Sequence, residues 1–197
     1  YTPKRITIDD FLITSGAQKL HVDGTLAGGK DDTLRLALDE FSIRPLNSIA
    51  GLPEGTVRGS LDGSATLISG MKDPILIADI MMDSLSMNGY TAPRLRLNSA
   101  WDFATERAGL SLVNTADGKT LVRGFYRPDT NSYAATVDID GIPLAAANPF
   151  LPADVIHSVE GTTALYLELR GSKGMPKMNG TLSVSDFSTT IGITDVT

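Results

Sequence analysis

The stretch from Thr56 to Ser84, TVRGSLDGSATLISGMKDPILIADIMMDS, decides the fold. Apolar and polar residues alternate through its first half. Because side chains of a β-strand point to opposite faces with a period of two, this pattern predicts one long strand with an apolar face. Turn-forming residues at 69–74 interrupt the alternation, and a second alternating run completes a predicted hairpin. On its apolar side we place Val57, Gly59, Leu61, Gly63, Ala65, Leu67, Leu76, Ala78, Ile80 and Met82.

The hairpin recurs about a hundred residues later, with its apolar row, loop glycine and loop proline in the same order. A fixed spacing over so many positions indicates an internal repeat. We therefore predict two β units, residues 1–100 and 101–197, that form one continuous sheet. The matched positions, first copy before second, are 21–24 with 121–124, 43–53 with 142–152, 57–59 with 159–161, Gly70 with Gly171, and Pro74 with Pro176.

The rest of the chain also predicts an all-β protein. Strand-like runs recur every ten to fifteen residues with turn signals between them, and the only helical signals are short turns, such as the one within 43–53. Chains of this kind form mostly antiparallel sheets. Aromatic residues make up only 6% of the chain, whereas glycine occurs 19 times. This composition favours a long sheet that curls into a trough lined with aliphatic side chains over a sandwich with an aromatic-rich core.

Composition and charge exclude several classes of function. The chain has 17 Lys and Arg against 23 Asp and Glu, a net charge of −6, and no basic run, so we expect no nucleic-acid partner. Cysteine is absent, which excludes disulfides and thiolate chemistry. No apolar run is long enough to span a membrane, and no signal peptide is recognisable. Both ends read as strand, so we expect a segment of a longer protein.

No constellation of residues predicts an active site or a cofactor. His21 and His157 lack neighbours with metal-ligand spacing, so a surface or packing role is expected for both. The run 138–141 (DIDG) resembles the opening of a calcium loop, but alanines follow where further oxygen ligands would be needed. The acid pairs at 9–10 and 31–32 are expected to be solvated. The chain is therefore predicted not to be an enzyme.

The repeated pattern resembles a known superfamily. It consists of a glycine-punctuated strand, a loop that runs from a glycine to a proline, and a return strand, each copy preceded by a short helical turn. In these features the chain is similar to the AsmA-like superfamily, and most similar to the TamB-like translocation and assembly module proteins. The residues that carry the resemblance are 57–61, Gly70, Pro74, 159–161, Gly171, Pro176, Gly180 and Leu182, together with 45–47, 143–144 and 150–151.

The resemblance implies a role in the envelope of Gram-negative bacteria. Proteins of this family are anchored in the inner membrane, extend through the periplasm as taco-shaped sheets, and are associated with phospholipid transport to the outer membrane. They are also associated with the insertion of outer-membrane proteins beside a barrel partner. For this chain, the resemblance therefore implies a periplasmic segment, a phospholipid or other acyl-chain ligand, and a barrel partner reached through the parent protein. The family brings no catalytic residues.

We expect the apolar rows to line a groove for acyl chains, because burying hydrocarbon requires no directional contacts. Two alternatives stay open: a scaffold that pairs a sheet edge with outer-membrane proteins, and a binding module with a closed β-sandwich core. An envelope enzyme is disfavoured, because no active-site constellation is present. The predicted groove-lining residues are Leu61, Leu67, Leu76, Ile80, Met82, Leu165, Leu167, Leu169, Leu182 and Val184.

Overall fold

A computed structural model describes residues 5–26, 32–49, 51–53, 55–68, 75–150, 156–172 and 176–191. The first hairpin loop, which contains Gly70 and Pro74, lies outside these residues. So do Asp31 of the second acid pair and the side chain of His157.

The described residues form twelve strands and two short helices. The first half contains β1 (Ile6–Ser15), β2 (Gln18–Leu26), β3 (Thr33–Ser42), helix α1 (Arg44–Ile49), β4 (Val57–Ile68), β5 (Ile75–Met87), β6 (Tyr90–Thr91) and β7 (Leu95–Asp102). The second half contains β8 (Arg107–Asn114), β9 (Thr120–Arg127), β10 (Ser132–Pro143), a 3-10 helix (Leu144–Phe150), β11 (Ile156–Ser172) and β12 (Lys177–Ile191).

All the described strands belong to one antiparallel sheet, and apart from β6 each strand pairs with the next strand along the chain. The two-residue strand β6 pairs only with β5, so β5 and β7 are neighbours. Within the described part of the chain, β1 and β12 do not pair with each other, and the sheet is not closed into a barrel. The prediction of an all-β, mostly antiparallel protein with only short helical turns is confirmed.

β-Bulges interrupt the ladder near the ends of several strands. The register shifts between Ile8 and Phe11 in β1 and between Leu38 and Phe41 in β3, and Asp10 and Glu40 at these points have positive φ angles of 51° and 47°. Further shifts occur between β4 and β5, between β10 and β11, and between β11 and β12. A bulge bends its strand and increases the local twist. A series of bulges on neighbouring strands therefore curls the sheet.

Each helix is held to the strand that follows it by an asparagine side chain. The Asn47 side chain donates to the Val57 carbonyl at 2.8 Å and accepts from the Val57 amide at 2.9 Å. Asn148 likewise accepts from the Val159 amide at 3.0 Å. In each half of the chain, an asparagine of the short helix thus bonds the backbone of a valine that the proposed repeat matches, Val57 or Val159. The division into units at residue 100 stays a prediction, because the sheet runs through that point.

The sheet buries little of its surface. The chain exposes 12828 Å², whereas a compact folded protein of 20.9 kDa exposes about 9000 Å². No large side chain among the described residues is fully buried. The described strands thus make a single layer with no second sheet packed upon it. The buried apolar residues of the described ranges are Leu38, Ala78, Leu95, Ala108 and Ala146.

Candidate functional site

The candidate site is one face of the sheet, called here the apolar face. Residues directly opposite each other on paired strands point to the same face, so the strand register traces rows of side chains across the sheet. One such row crosses all eleven strands of the main path and contains only aliphatic residues and glycine. This central rung is Ile13, Leu20, Leu38, Gly63, Ile80, Leu97, Leu112, Val122, Val137, Leu167 and Gly180.

The structure places all ten predicted groove residues on the apolar face. Ile80 and Leu167 belong to the central rung. The others lie beside it on the same strands, two or four positions away. They form the opposed pairs Leu61 with Met82, Leu67 with Leu76, Leu165 with Leu182, Leu169 with Ala135, and Val184 with Thr163.

Exposure varies across the apolar face: Leu38 of the central rung and Ala78, Leu95 and Ala108 are buried, whereas other side chains are open to solvent. Leu76 is 39% exposed, and Leu182 and Val184 on the last strand are 66% and 42% exposed. A β-sandwich would cover such side chains with the inner face of a second sheet. Because the described strands form one sheet, the alternative of a closed sandwich core does not hold for them.

The middle of the apolar face contains a depression of about 240 Å³. It forms beside the central rung because four of the five residues of the neighbouring row are small there, namely Ala78, Ser99, Gly124 and Ala135, with Leu110 between Ser99 and Gly124. The walls come from Leu76 and from strands β7 to β10. The residues lining it on this face are Leu76, Ser99, Ala108, Leu110, Gly124, Tyr126, Tyr133 and Ala135.

The hydroxyls of Ser99 and Tyr126 in this depression have partners within the protein. Ser99 is only 4% exposed, and its hydroxyl donates to the Leu76 carbonyl at 2.6 Å. The Tyr126 hydroxyl donates to Asn131 Oδ1 at 2.8 Å. A hydroxyl that already donates its hydrogen within the protein does not need a polar partner from a ligand. The depression therefore presents a mainly apolar surface despite its serine and tyrosines.

Sequence reasoning located the groove on the repeated hairpins and missed this central depression. Apart from Leu76, its lining residues lie on β7 to β10, which were predicted as strands but not as part of the site. The signal in the sequence was the spacing of Leu110 and Leu112, which lie two positions apart and therefore point to the same face of their strand. Small residues such as Ala108 and Ala135 did not stand out, because their effect depends on being neighbours in the sheet.

The opposite face, called here the polar face, carries ion pairs between neighbouring strands. Arg96 holds Asp79 through two hydrogen bonds of 2.8 and 2.6 Å, and these bonds lower the pKa of Asp79. Lys19 contacts Asp39 at 3.1 Å. These groups are solvent-exposed, and pairs of this kind contribute little each to stability. The polar face is thus the solvated side of the sheet.

Four of the residues considered for metal or acid–base chemistry have partners within the protein. His21 Nε2 lies 2.8 Å from Asp10 Oδ1. Asp138 and Asp140, from the calcium-like run, both accept from Lys119 Nζ, at 3.2 and 2.9 Å. Within the described ranges no three metal-binding side chains cluster.

Comparisons with known proteins found no match. No family model, no curated protein and no solved structure matches the chain. Across the ranges that the structure describes, no helix has the length and apolar character needed to cross a bilayer.

Proposed function

We propose that this chain is a non-enzymatic segment of a TamB/AsmA-like, periplasm-spanning protein. In this proposal its apolar face shields the acyl chains of phospholipids on their way to the outer membrane and so serves the assembly of that membrane. The observation that carries the proposal is the central rung, which stays apolar across eleven strands and has no second sheet packed on it among the described residues.

The dimensions of the apolar face suit hydrocarbon chains. Ten gaps between strands at about 4.8 Å give the central rung a length of about 48 Å. One leaflet of a bilayer has a hydrocarbon thickness of about 15 Å. Acyl chains can therefore lie in succession along the rung. Each buried methylene contributes about 0.8 kcal/mol, and the absence of directional contacts allows a chain to move along the face.

Leu76 and Ile77 offer a matched pair of sites for testing the proposal. They are adjacent aliphatic residues of β5 with exposed fractions of 39% and 37%. Leu76 is opposite Leu67 on the apolar face, beside the central depression, whereas Ile77 is opposite Thr66 on the polar face. The substitutions Leu76→Asp and Ile77→Asp thus introduce the same charge at similar exposure on opposite faces.

We expect Leu76→Asp to reduce retained phospholipid at least tenfold and Ile77→Asp to leave it unchanged. The measurement is native mass spectrometry of gently extracted protein, with photocrosslinking to phospholipid as a second readout. Circular dichroism checks that both variants keep the sheet. Equal retention in the two variants, or no phospholipid on the wild-type chain, would refute the proposal.

A second candidate function uses the edge of the sheet. The edge strand β12 is exposed along its described length, and Met178, Leu182 and Phe187 are each at least 60% exposed. An exposed strand edge is a template for pairing with another chain. A scaffold for outer-membrane protein insertion would use it to bind unfolded barrel polypeptide. Such binding would persist in Leu76→Asp, which separates this function from the groove.

A further inference from the structure

The polar face contains a second concave region, which nothing above assigns to a function. It is a hollow of about 700 Å³ over strands β7 to β11. Phe125 stands near its centre, directly opposite Gly109 and Ala134. The small neighbours leave open space beside the aromatic ring. Three arginines, Arg107, Arg123 and Arg170, line this space, and we call the region the arginine hollow.

The guanidinium groups of the arginine hollow have no hydrogen bonds to protein groups in the described part of the chain. Arg107 Nε and Arg170 Nη2 form ion pairs with Asp102 at 3.9 Å and with Glu168 at 3.7 Å, distances that are too long for a hydrogen bond. Arg123 is exposed and has no ion pair within the described ranges. Elsewhere on the polar face Arg96 is held by Asp79 at 2.6 and 2.8 Å. The hollow therefore brings together three guanidinium groups whose N–H groups are free to donate hydrogen bonds to a ligand.

Phe125 holds two cationic side chains beside the hollow. The Arg107 guanidinium lies 5.1 Å from the centre of the Phe125 ring, and that of Arg127 lies 6.0 Å from it. Cations over an aromatic ring at these distances are stabilised by the electron density of the ring. Arg127 Nε is buried and has no hydrogen-bond partner. The arginines are thus partly ordered without an anion.

Three uncharged side chains add further hydrogen-bonding groups. Asn98, Ser111 and Thr136 line the hollow in one row, and Arg123 lies in the same row between Ser111 and Thr136. Guanidinium groups bind phosphate oxygens through paired hydrogen bonds, and hydroxyl and amide groups complete such sites. The chain as a whole carries a net charge of −6, so its overall charge repels anions, and the positive charge of the hollow is local.

We propose that the arginine hollow binds a ligand through one or more phosphate groups. The site is independent of the proposed groove, because it lies on the opposite face of the sheet. A lipid whose acyl chains lie on the apolar face does not place its headgroup in the hollow. The phosphate belongs either to a soluble phosphorylated molecule or to the headgroup of a lipid in a nearby membrane surface.

The test measures binding of inorganic pyrophosphate by titration calorimetry. Arg123→Gln removes one guanidinium without breaking an ion pair, so the fold should be retained. Arg35→Gln is the matched control. It removes the same charge from the same face on β3, where Arg35 pairs with Asp23 at 3.5 Å outside the hollow. We expect saturable binding by the wild type, at least tenfold weaker binding by Arg123→Gln, and unchanged binding by Arg35→Gln.

Flotation with phosphatidylcholine vesicles, with and without phosphatidic acid, distinguishes the two sources of phosphate. Binding of the phosphatidic-acid vesicles that pyrophosphate displaces would assign the hollow to lipid headgroups. Binding of pyrophosphate alone would assign it to a soluble ligand. An equal loss of affinity in both arginine variants would show only a general charge effect and overturn the proposal. No binding of pyrophosphate or vesicles at millimolar phosphate would overturn it as well.

Discussion

Gly63 occupies the central rung at a point where the backbone admits no side chain. Its φ is +130°, a conformation that only glycine adopts readily. A Cβ built there would lie 2.1 Å from the Asp79 carbonyl oxygen and 3.1 Å from the Ile80 Cα, both of them backbone atoms of β5. Alanine at position 63 therefore requires β4 and β5 to separate or the backbone of residue 63 to change conformation.

We expect Gly63→Ala to lower the free energy of unfolding by about 3 to 5 kcal/mol. Forcing a non-glycine residue into such a conformation costs about 1 to 3 kcal/mol. Each hydrogen bond lost between β4 and β5 near Gly63 and Ile80 costs about 1 kcal/mol more. The same displacement should interrupt the central rung and reduce lipid retention. The measurement is urea denaturation followed by circular dichroism, together with native mass spectrometry.

Gly109→Ala provides the control, because Gly109 is also a glycine within a strand. The nearest atom to its added Cβ would be the Ala100 carbonyl oxygen at 3.8 Å, an ordinary contact. Alanine there should change the free energy of unfolding by less than about 1 kcal/mol. Equal denaturation midpoints for the two variants would refute the explanation of Gly63 by backbone conformation.

Two further predictions concern the polar face and helix α1. The hydrogen bonds from Arg96 lower the pKa of Asp79, so the pair stabilises the fold fully above about pH 4 and this contribution is lost as the pH falls through the lower folded pKa. Urea midpoints measured at descending pH should therefore fall less steeply for Asp79→Asn than for the wild type, and identical slopes would contradict this. Asn47 is 3% exposed and bonds both backbone groups of Val57, so Asn47→Ala should cost about 2 to 4 kcal/mol by leaving them unsatisfied. Asn148 makes one such bond, so Asn148→Ala should lower the free energy of unfolding by about 1 kcal/mol. A larger loss for Asn148→Ala than for Asn47→Ala would contradict this explanation.

Much of the sheet could be predicted from alternation, because a period of two is a local property of an extended chain. Alternation assigned Leu61, Leu67 and Leu76 to one side of their strands, and the register places them on one face. The role of Gly63 could not be read in this way. It was predicted as a small spacer in the apolar row, whereas its φ angle and its contact with Asp79 show a backbone requirement.

The sequence by itself determined where strands and short helices form and to which face of its strand each side chain points. These properties depend only on residues a few positions away along the chain. Only the tertiary structure decided whether the apolar rows are covered, because the same alternation suits a closed sandwich and an open sheet. It alone also brought Arg107, Arg123 and Arg170 together. Arginines on three strands have no common pattern along the chain, and pairing of the strands places them side by side.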